Sequence, residues 1–237
     1  MAVFSEQHNY IFFANPQTAS KAIAKTLRDK LGGKQLPEQE IKRDGKLVSR
    51  KHHATYTQLI NAGLMTAEKM DGMFKFTCVR NPFDQLVSKY LKHVERMEAD
   101  GKQAPWTRKL EAGEIRLGEG VKNVGFASWL LHLKDQYAKV NKMENGPLEF
   151  LAHADLVLRF ESLAEGFREF QERVGIAEPV EIVQYNITQA RAETAPAAPE
   201  APRKKRNYAD FYDPASVALV EQLYAPVIER FGYRFGG

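Results

Sequence analysis

Three stretches carry side chains whose types and spacing could do chemistry. The first is "NPQTASKAI", Asn15 to Ile23. A turn-forming Asn-Pro, two hydroxyls at Thr18 and Ser20, and Lys21 stand where an apolar run gives way to helical spacing. The first amides of a helix lack intrahelical partners and make an anion site. A cation is unfavourable at that end of the helix dipole, so Lys21 is either a solvated side chain beside a capping Ser20, or the partner of a bound phosphate or sulfate. The second stretch is "KHHATYTQL", Lys51 to Leu59, with His52 and His53 adjacent and no local partners at metal-site spacing. The third is "FKFTCVRNPFDQLVSKYL", Phe74 to Leu91. In it Arg80 closes an apolar run and Ser88 lies early in the next helical pattern. A guanidinium offers several donors in a rigid fork; its plainer use is to pair with a carboxylate.

The elements that must position these residues follow from periodicity. "YIFFA" (Tyr10 to Ala14), "MFKFTCV" (Met73 to Val79) and "ADLVLRF" (Ala154 to Phe160) read as buried strands. Ile23, Leu27 and Leu31 recur along a helix that Gly32-Gly33 stops. Asn81 as cap, Pro82 at the first helical position and Asp84 two residues on specify the start of another helix. Phe83, Leu86, Val87, Tyr90, Leu91 and Val94 mark its buried face, which leaves Lys89 and Lys92 to solvent. A last helix after Asp213-Pro214 is expected to kink at Pro226. The segment around 99–125 reads as an irregular insertion, and the Ala/Pro-rich, then basic segment around 190–206 as a mobile loop. Strands alternating with helices favour a mostly parallel sheet covered on both faces.

Composition bounds the rest. The chain has 237 residues, 43% of them apolar, with Lys plus Arg at 34 against Asp plus Glu at 30, a net +4. That charge permits an anionic ligand and demands none. Cys78, the single cysteine, excludes an internal disulfide and reads as a buried core thiol. No apolar run is long enough to span a membrane, and the first ten residues lack the pattern of a signal peptide. These observations predict a soluble, cytoplasmic protein. The stretch before Ile23 is neither G-x-x-x-x-G-K-[ST] nor G-x-G-x-x-G. No cysteine spacing suits zinc, and the basic residues are not interleaved with an aromatic platform for nucleic acid.

Taken in order, "NPQTASKAI", "KHHATYTQL", "FKFTCVRNPFDQLVSKYL", "LVLRFESLAEGFREF" (Leu156 to Phe170) and "YADFYDPASVALVEQLYAPVIERFGYRF" resemble the sulfotransferases that use 3'-phosphoadenosine 5'-phosphosulfate. The likeness is strongest to the bacterial and Golgi-type carbohydrate sulfotransferases. It covers most of the chain and is poor over 99–145 and 190–202. The resemblance implies a P-loop-like α/β fold, a three-layer sandwich with a mostly parallel central sheet flanked by helices, as a single domain over 1–237.

It also implies roles. In the family the first loop commonly reads P-K-T-[AG]-[GS]-T-S and wraps the 5'-phosphosulfate. Pro16, Thr18, Ala19 and Ser20 match it, and Ala22 closes the stretch. Gln17 stands at the family's lysine and Lys21 at its following threonine. Gln17 can donate a hydrogen bond without charge, and Lys21, one helical turn on, can return the charge to the same phosphate. The alternative is a member that lost its catalytic lysine. The resemblance assigns the 3'-phosphate to Arg80 and Ser88, and places Lys205 and Arg206 of "RKKRNY" near the nucleotide. "KHHAT" is similar to the family's "KHAT", which makes His53 the residue that takes the acceptor hydroxyl's proton, with His52 its competitor. Arg159 and Glu161 of "LRFESL" look structural. Trp106 and Trp129 could stack on a sugar, although core packing is the commoner use.

The expected reaction is sulfuryl transfer from 3'-phosphoadenosine 5'-phosphosulfate, by His53, Lys21 and Gln17, to an acceptor hydroxyl on a carbohydrate, without a metal. Rival readings are a nucleotide- or polyanion-binding protein without catalysis, and a phosphoryl transferase. The latter would also need a Gly-rich loop and a magnesium carboxylate.

Overall fold

A computed structural model describes residues 1–139, 147–183 and 207–237. The chain groups into two compact units, one of residues 1–80 and 149–201, the other of 81–148 and 202–237.

The first unit is built on a five-stranded sheet in the order β3-β1-β2-β6-β7. Its strands are β1 (Ala2–Ser5), β2 (Tyr10–Phe13), β3 (Lys34–Leu36), β6 (Phe74–Val79) and β7 (Leu156–Arg159). β2, β6 and β7 are parallel neighbours, whereas β1 pairs antiparallel with both β2 and β3. Four strands therefore run one way and β1 alone runs against them. The sequence reading finds β2, β6 and β7 and passes over β1 and β3. Both are short, and their pairing, more than their own composition, makes them strands.

Residues of β2 alternate between two cores, as the two-residue period of a strand requires. Tyr10 and Phe12 face a cluster with Val3, Phe76, Leu158 and Phe170. This cluster is covered by helices α1 (Ser20–Leu31) and α8 (Leu163–Arg173). Ile11 and Phe13 face the opposite cluster, with Leu59, Met70 and Met73. That cluster involves α2 (Tyr56–Asn61), α3 (Ala67–Asp71) and Phe150 of α7 (Pro147–Ala152). The result is the expected sandwich: helix, sheet, helix. Phe76 and Phe170 stack with ring centroids 3.9 Å apart; truncating either to Ala would cost on the order of 3–5 kcal/mol.

Helix α1 ends as the Gly-Gly pair predicts. Gly32 is its left-handed cap, and its N–H bonds to the carbonyl of Leu27. Beyond it, a two-stranded ribbon of β4 (Ile41–Arg43) and β5 (Lys46–Ser49) leads toward Lys51.

The second unit is helical: α4 (Pro82–Ala99), α5 (Pro105–Glu111), α6 (Val124–Lys139) and α9 (Pro214–Phe231). Asn81 caps α4 through Phe83 N–H at 3.1 Å, with Pro82 at the first position. The kink in α9 falls at Tyr224, two residues before Pro226. Trp106 and Trp129 are buried here, among Tyr90 and Phe126, so packing and not sugar stacking is their use. The segment around 99–125 carries α5 and is thus less irregular than its Gly and charge content suggests. Lys89 is half-buried, 3.4 Å from the Tyr137 hydroxyl and over its ring, a correction to its reading as solvated. The segment expected to be a mobile loop, 190–206, lies outside the described residues.

Candidate active site

The groups that could do chemistry in the first unit gather at the carboxyl ends of β2, β6 and β7. The register sets Phe13 beside Thr77 and Val79 beside Arg159. The loop after β2, Arg80 after β6 and Phe160 after β7 therefore leave the sheet at one edge. Parallel strand ends of this kind are where open α/β sheets bind ligands.

The loop from Ala14 to Ala19 is held from within. The Asn15 side-chain amide donates to the Cys78 carbonyl at 2.9 Å, tying the loop to the end of β6. Thr18 is fully buried, and its hydroxyl donates to the Asn15 carbonyl at 2.8 Å. That hydroxyl, expected to be a ligand donor, instead shapes the loop and leaves the backbone N–H of Thr18 as what this residue can offer. Gln17 and Ala19 are left-handed, with φ of +63° and +58°. Such a conformation at a non-glycine residue costs on the order of 1–3 kcal/mol and persists where the surroundings enforce it. Left-handed residues alternating with ordinary ones turn successive amides toward one concavity, a common anion cradle.

The amides of the cradle are available. Ala22 and Ile23 N–H bond to the Ala19 carbonyl at 2.9 and 3.2 Å. Those of Thr18, Ala19, Ser20 and Lys21 have no acceptor among the described residues. The helix cap is Ala19, not Ser20. Ser20 is 4% exposed, and its hydroxyl has no partner among the described residues. Lys21 is exposed and makes no ion pair or hydrogen bond among them. Pro16 forms the turn, and Ala22, its N–H spent, contributes only its methyl group to a neighbouring pocket.

His53 stands beside this loop. Its Nδ1 is 2.6 Å from the carbonyl of Ala14, the residue between β2 and the loop. A carbonyl only accepts, so Nδ1 carries the proton and Nε2 keeps a free lone pair. Burial pushes the pKa of His53 down to about 4, against the opposing effect of that hydrogen bond, and the charges of His52 and Lys21 act in the same sense as burial. His53 is therefore neutral near pH 7 with a fixed tautomer. Its backbone is left-handed, φ +62°. His52 is exposed, its ring centroid 6.5 Å from that of His53. Its own pKa is lowered by desolvation, with Lys21 and Lys51 contributing.

Arg80 donates from Nη1 to the Gln17 carbonyl at 3.2 Å, and its guanidinium lies 4.2 Å over the Phe160 ring. It thus joins the loop to the end of β7. Phe160 is the residue whose part the sequence reading missed; its place directly after a parallel strand is the signal that could have found it. Ser88 is half-buried on α4 of the second unit. Lys205 and Arg206 lie outside the described residues. Cys78 is buried with its thiol pushed up to about 12, so it is an inert core group as expected.

Two pockets open beside the loop. One, of about 800 Å³, runs from Ala19 and Ala22 past Phe160 to Phe167, Gln171 and Val183. The other, of about 480 Å³, is lined by Lys21, Lys25, Arg28, Lys51 and His52 together with Met1, Gln35 and Glu38. No group of His, Cys, Asp and Glu among the described residues could hold a metal ion.

A family model described as "Sulfotransferase family" matches residues 1–234. This chain belongs to the sulfotransferase family. Comparison with curated proteins and with solved structures returned no match. The general chemistry of such a sulfotransferase is sulfuryl transfer. No helix among the described residues is long and apolar enough to cross a membrane.

Proposed function

We propose that this sulfotransferase moves a sulfuryl group from 3'-phosphoadenosine 5'-phosphosulfate to an acceptor hydroxyl on a carbohydrate, with residues 1–237 working as one catalytic domain. The carrying observation is the juxtaposition at Ala14. Its carbonyl orients a neutral His53, and the loop beyond it holds the amides of Thr18, Ala19, Ser20 and Lys21, which have no acceptor among the described residues.

The cradle from Pro16 to Lys21, with the Ser20 hydroxyl, suits the 5'-phosphosulfate. Arg80 and Ser88 are the groups proposed for the 3'-phosphate. The 800 Å³ pocket beside Ala19 and Phe160 has the size and apolar wall for the nucleoside. Lys205 and Arg206 are proposed to approach the nucleotide. In the reaction the acceptor oxygen forms a bond to sulfur as the bond from sulfur to the phosphate oxygen breaks. The acceptor proton passes to Nε2 of His53, and 3',5'-adenosine bisphosphate leaves. Charge growing on the departing phosphate is met by the loop amides, the Gln17 side chain and Lys21. Fixed donors of this kind are usually the largest catalytic contribution.

One observation favours a second reading, binding without catalysis. Gln17 occupies the position of the family lysine, and its carbonyl is already engaged by Arg80. The separating experiment combines calorimetry with 3',5'-adenosine bisphosphate and a sulfate-incorporation assay on a carbohydrate panel. Binding with transfer is expected. Binding without transfer on any hydroxyl acceptor would leave the non-catalytic reading, and neither binding nor transfer would refute both.

A further inference from the structure

One wall of the 800 Å³ pocket proposed for the nucleoside is backbone outside any helix or strand: residues 179–183 all line it. Such backbone is costly to order, and two buried polar side chains hold it. Gln171, on α8, is 3% exposed. Its Oε1 accepts from the Val180 N–H at 2.6 Å, and its Nε2 donates to the Phe167 carbonyl at 3.3 Å. Thr26, on α1, is fully buried. Its hydroxyl donates to the Ala22 carbonyl at 3.0 Å and accepts from the Val183 N–H at 2.9 Å. Lys30, one turn beyond Thr26, donates to the Glu181 carbonyl at 3.2 Å. The side chains of Val180 and Ile182 pack on the core cluster that holds Phe76 and Phe170. The segment is thus pegged to α8 at Val180 and to α1 at Glu181 and Val183. The pocket and the groups that hold this wall all belong to the first unit.

These pegs leave a defined edge. Main-chain groups at 181 and 183 turn to α1 and the N–H at 180 turns to α8, the alternation of an extended strand. It sets the Val180 carbonyl and the Ile182 N–H together on the α8 side, where Leu163, Phe167 and Gln171 line the pocket. Neither group has a partner among the described residues. An unpaired strand edge of this kind is a template for hydrogen bonding. Resting on the donor reading above, we infer that Gln171, aided by Thr26, is a positioning residue for the donor nucleotide, fixing the main chain at 180–182 as the edge that selects its base. The carboxamide of Gln171 is engaged at both ends, so it acts through Val180 and does not itself touch the base. A carbonyl followed two residues on by an N–H suits a 6-aminopurine, which offers an amino donor beside a ring-nitrogen acceptor. A 6-oxopurine presents the reverse pattern and would set its oxygen against the Val180 carbonyl, two acceptors face to face.

The test compares three ligands by calorimetry: 3',5'-adenosine bisphosphate, 3',5'-inosine bisphosphate, and the methyl riboside 3',5'-bisphosphate, which keeps both phosphates and has no base. The wild-type protein is expected to favour adenosine over inosine by at least about tenfold. Gln171→Met keeps the volume and removes the acceptor, and Thr26→Val does the same at the other peg. Each should weaken the adenosine ligand about fivefold or more and shrink its advantage over inosine, with the base-less ligand changed less than about twofold. That unchanged ligand also shows that each variant is folded. Thr26→Ser, which restores the hydroxyl, should bind as wild type does. In a transfer assay the loss should fall on the donor's KM, with kcat changed less than about twofold. In wild-type hydrogen exchange, the adenosine ligand should protect the Ile182 N–H and the base-less one should not. Equal binding of adenosine and inosine by wild type would overturn the inference, as would an Ile182 N–H left unprotected. So would variants that weaken all three ligands alike, or none. Failure of the donor reading shows separately, as a wild-type protein that binds none of the three, and it would take this inference with it.

Discussion

Replacing His53 tests the centre of the proposed mechanism, and the structure says how to do it without confusing chemistry with folding. His53→Ala would remove the base, but also the 2.6 Å bond to Ala14 and the ring that lies against the loop. It would put alanine at φ +62° as well. The lost hydrogen bond alone is worth about 1 kcal/mol. His53→Asn is the cleaner change: asparagine tolerates the left-handed region and its amide can still donate, while it has no basic nitrogen. Loss of a positioned general base lowers turnover roughly 100- to 10,000-fold, about 3 to 5 kcal/mol of barrier. His53→Asn is therefore expected to fall in that range, with 3',5'-adenosine bisphosphate binding within about threefold of wild type. His52→Ala should change turnover less than about threefold.

The same substitution has a stability signature. The folded-state pKa of His53 is about 4, below its ordinary 6.5. Between those values the unfolded chain binds more protons, so stability rises with pH there. The contribution is fully kept above pH 6.5, and about 3 kcal/mol of it is lost on going down to pH 4. His53→Asn removes that part of the slope. Urea melts of both proteins at several pH values, with turnover in parallel, make the check. Turnover that survives His53→Asn and falls with His52→Ala would refute the assignment. An unchanged pH slope of stability would refute the burial of His53.

Arg80→Ala should weaken 3',5'-adenosine bisphosphate by about 1.5–3 kcal/mol, and adenosine 5'-phosphosulfate, which lacks the 3'-phosphate, by clearly less; equal losses by calorimetry would reduce Arg80 to a brace between Gln17 and Phe160. Lys21→Ala is expected to abolish transfer, Gln17→Lys in that background to restore part of it, and Gln17→Lys alone to add little, because two cations at one loop repel. A fully active Lys21→Ala enzyme would make Lys21 an ordinary solvated side chain. Gly33→Ala would set a Cβ 2.7 Å from Val3 Cγ1 and 2.9 Å from the Leu27 carbonyl. It should therefore destabilise the first unit by about 1–3 kcal/mol in denaturant melts, and a neutral result would mean that α1 and β1 can separate at no cost.

Much of the site's frame was legible without coordinates because it depends on local chemistry. The three parallel strands announce themselves as apolar runs ended by Asn-Pro, Arg-Asn-Pro and Arg-Phe. The start of α4 at Asn81-Pro82 and the end of α1 at Gly32-Gly33 follow from capping and backbone sterics within a few residues. The resemblance carried by the ordered stretches agrees with the family match over residues 1–234. What depends on partners far along the chain was not legible. β1 and β3 become strands through one another and through β2. The duty of Thr18 is set by the loop closing on itself, and the proton on His53 Nδ1 by a carbonyl 39 residues away in sequence. The basic residues of 21–51 are visible as composition. Only the fold gathers Lys21, Lys25, Arg28, Lys51 and His52 around one pocket. Residue types and short-range sterics travel with the sequence, whereas burial, tautomer and the convergence of charge are properties of neighbours that only the folded chain brings together.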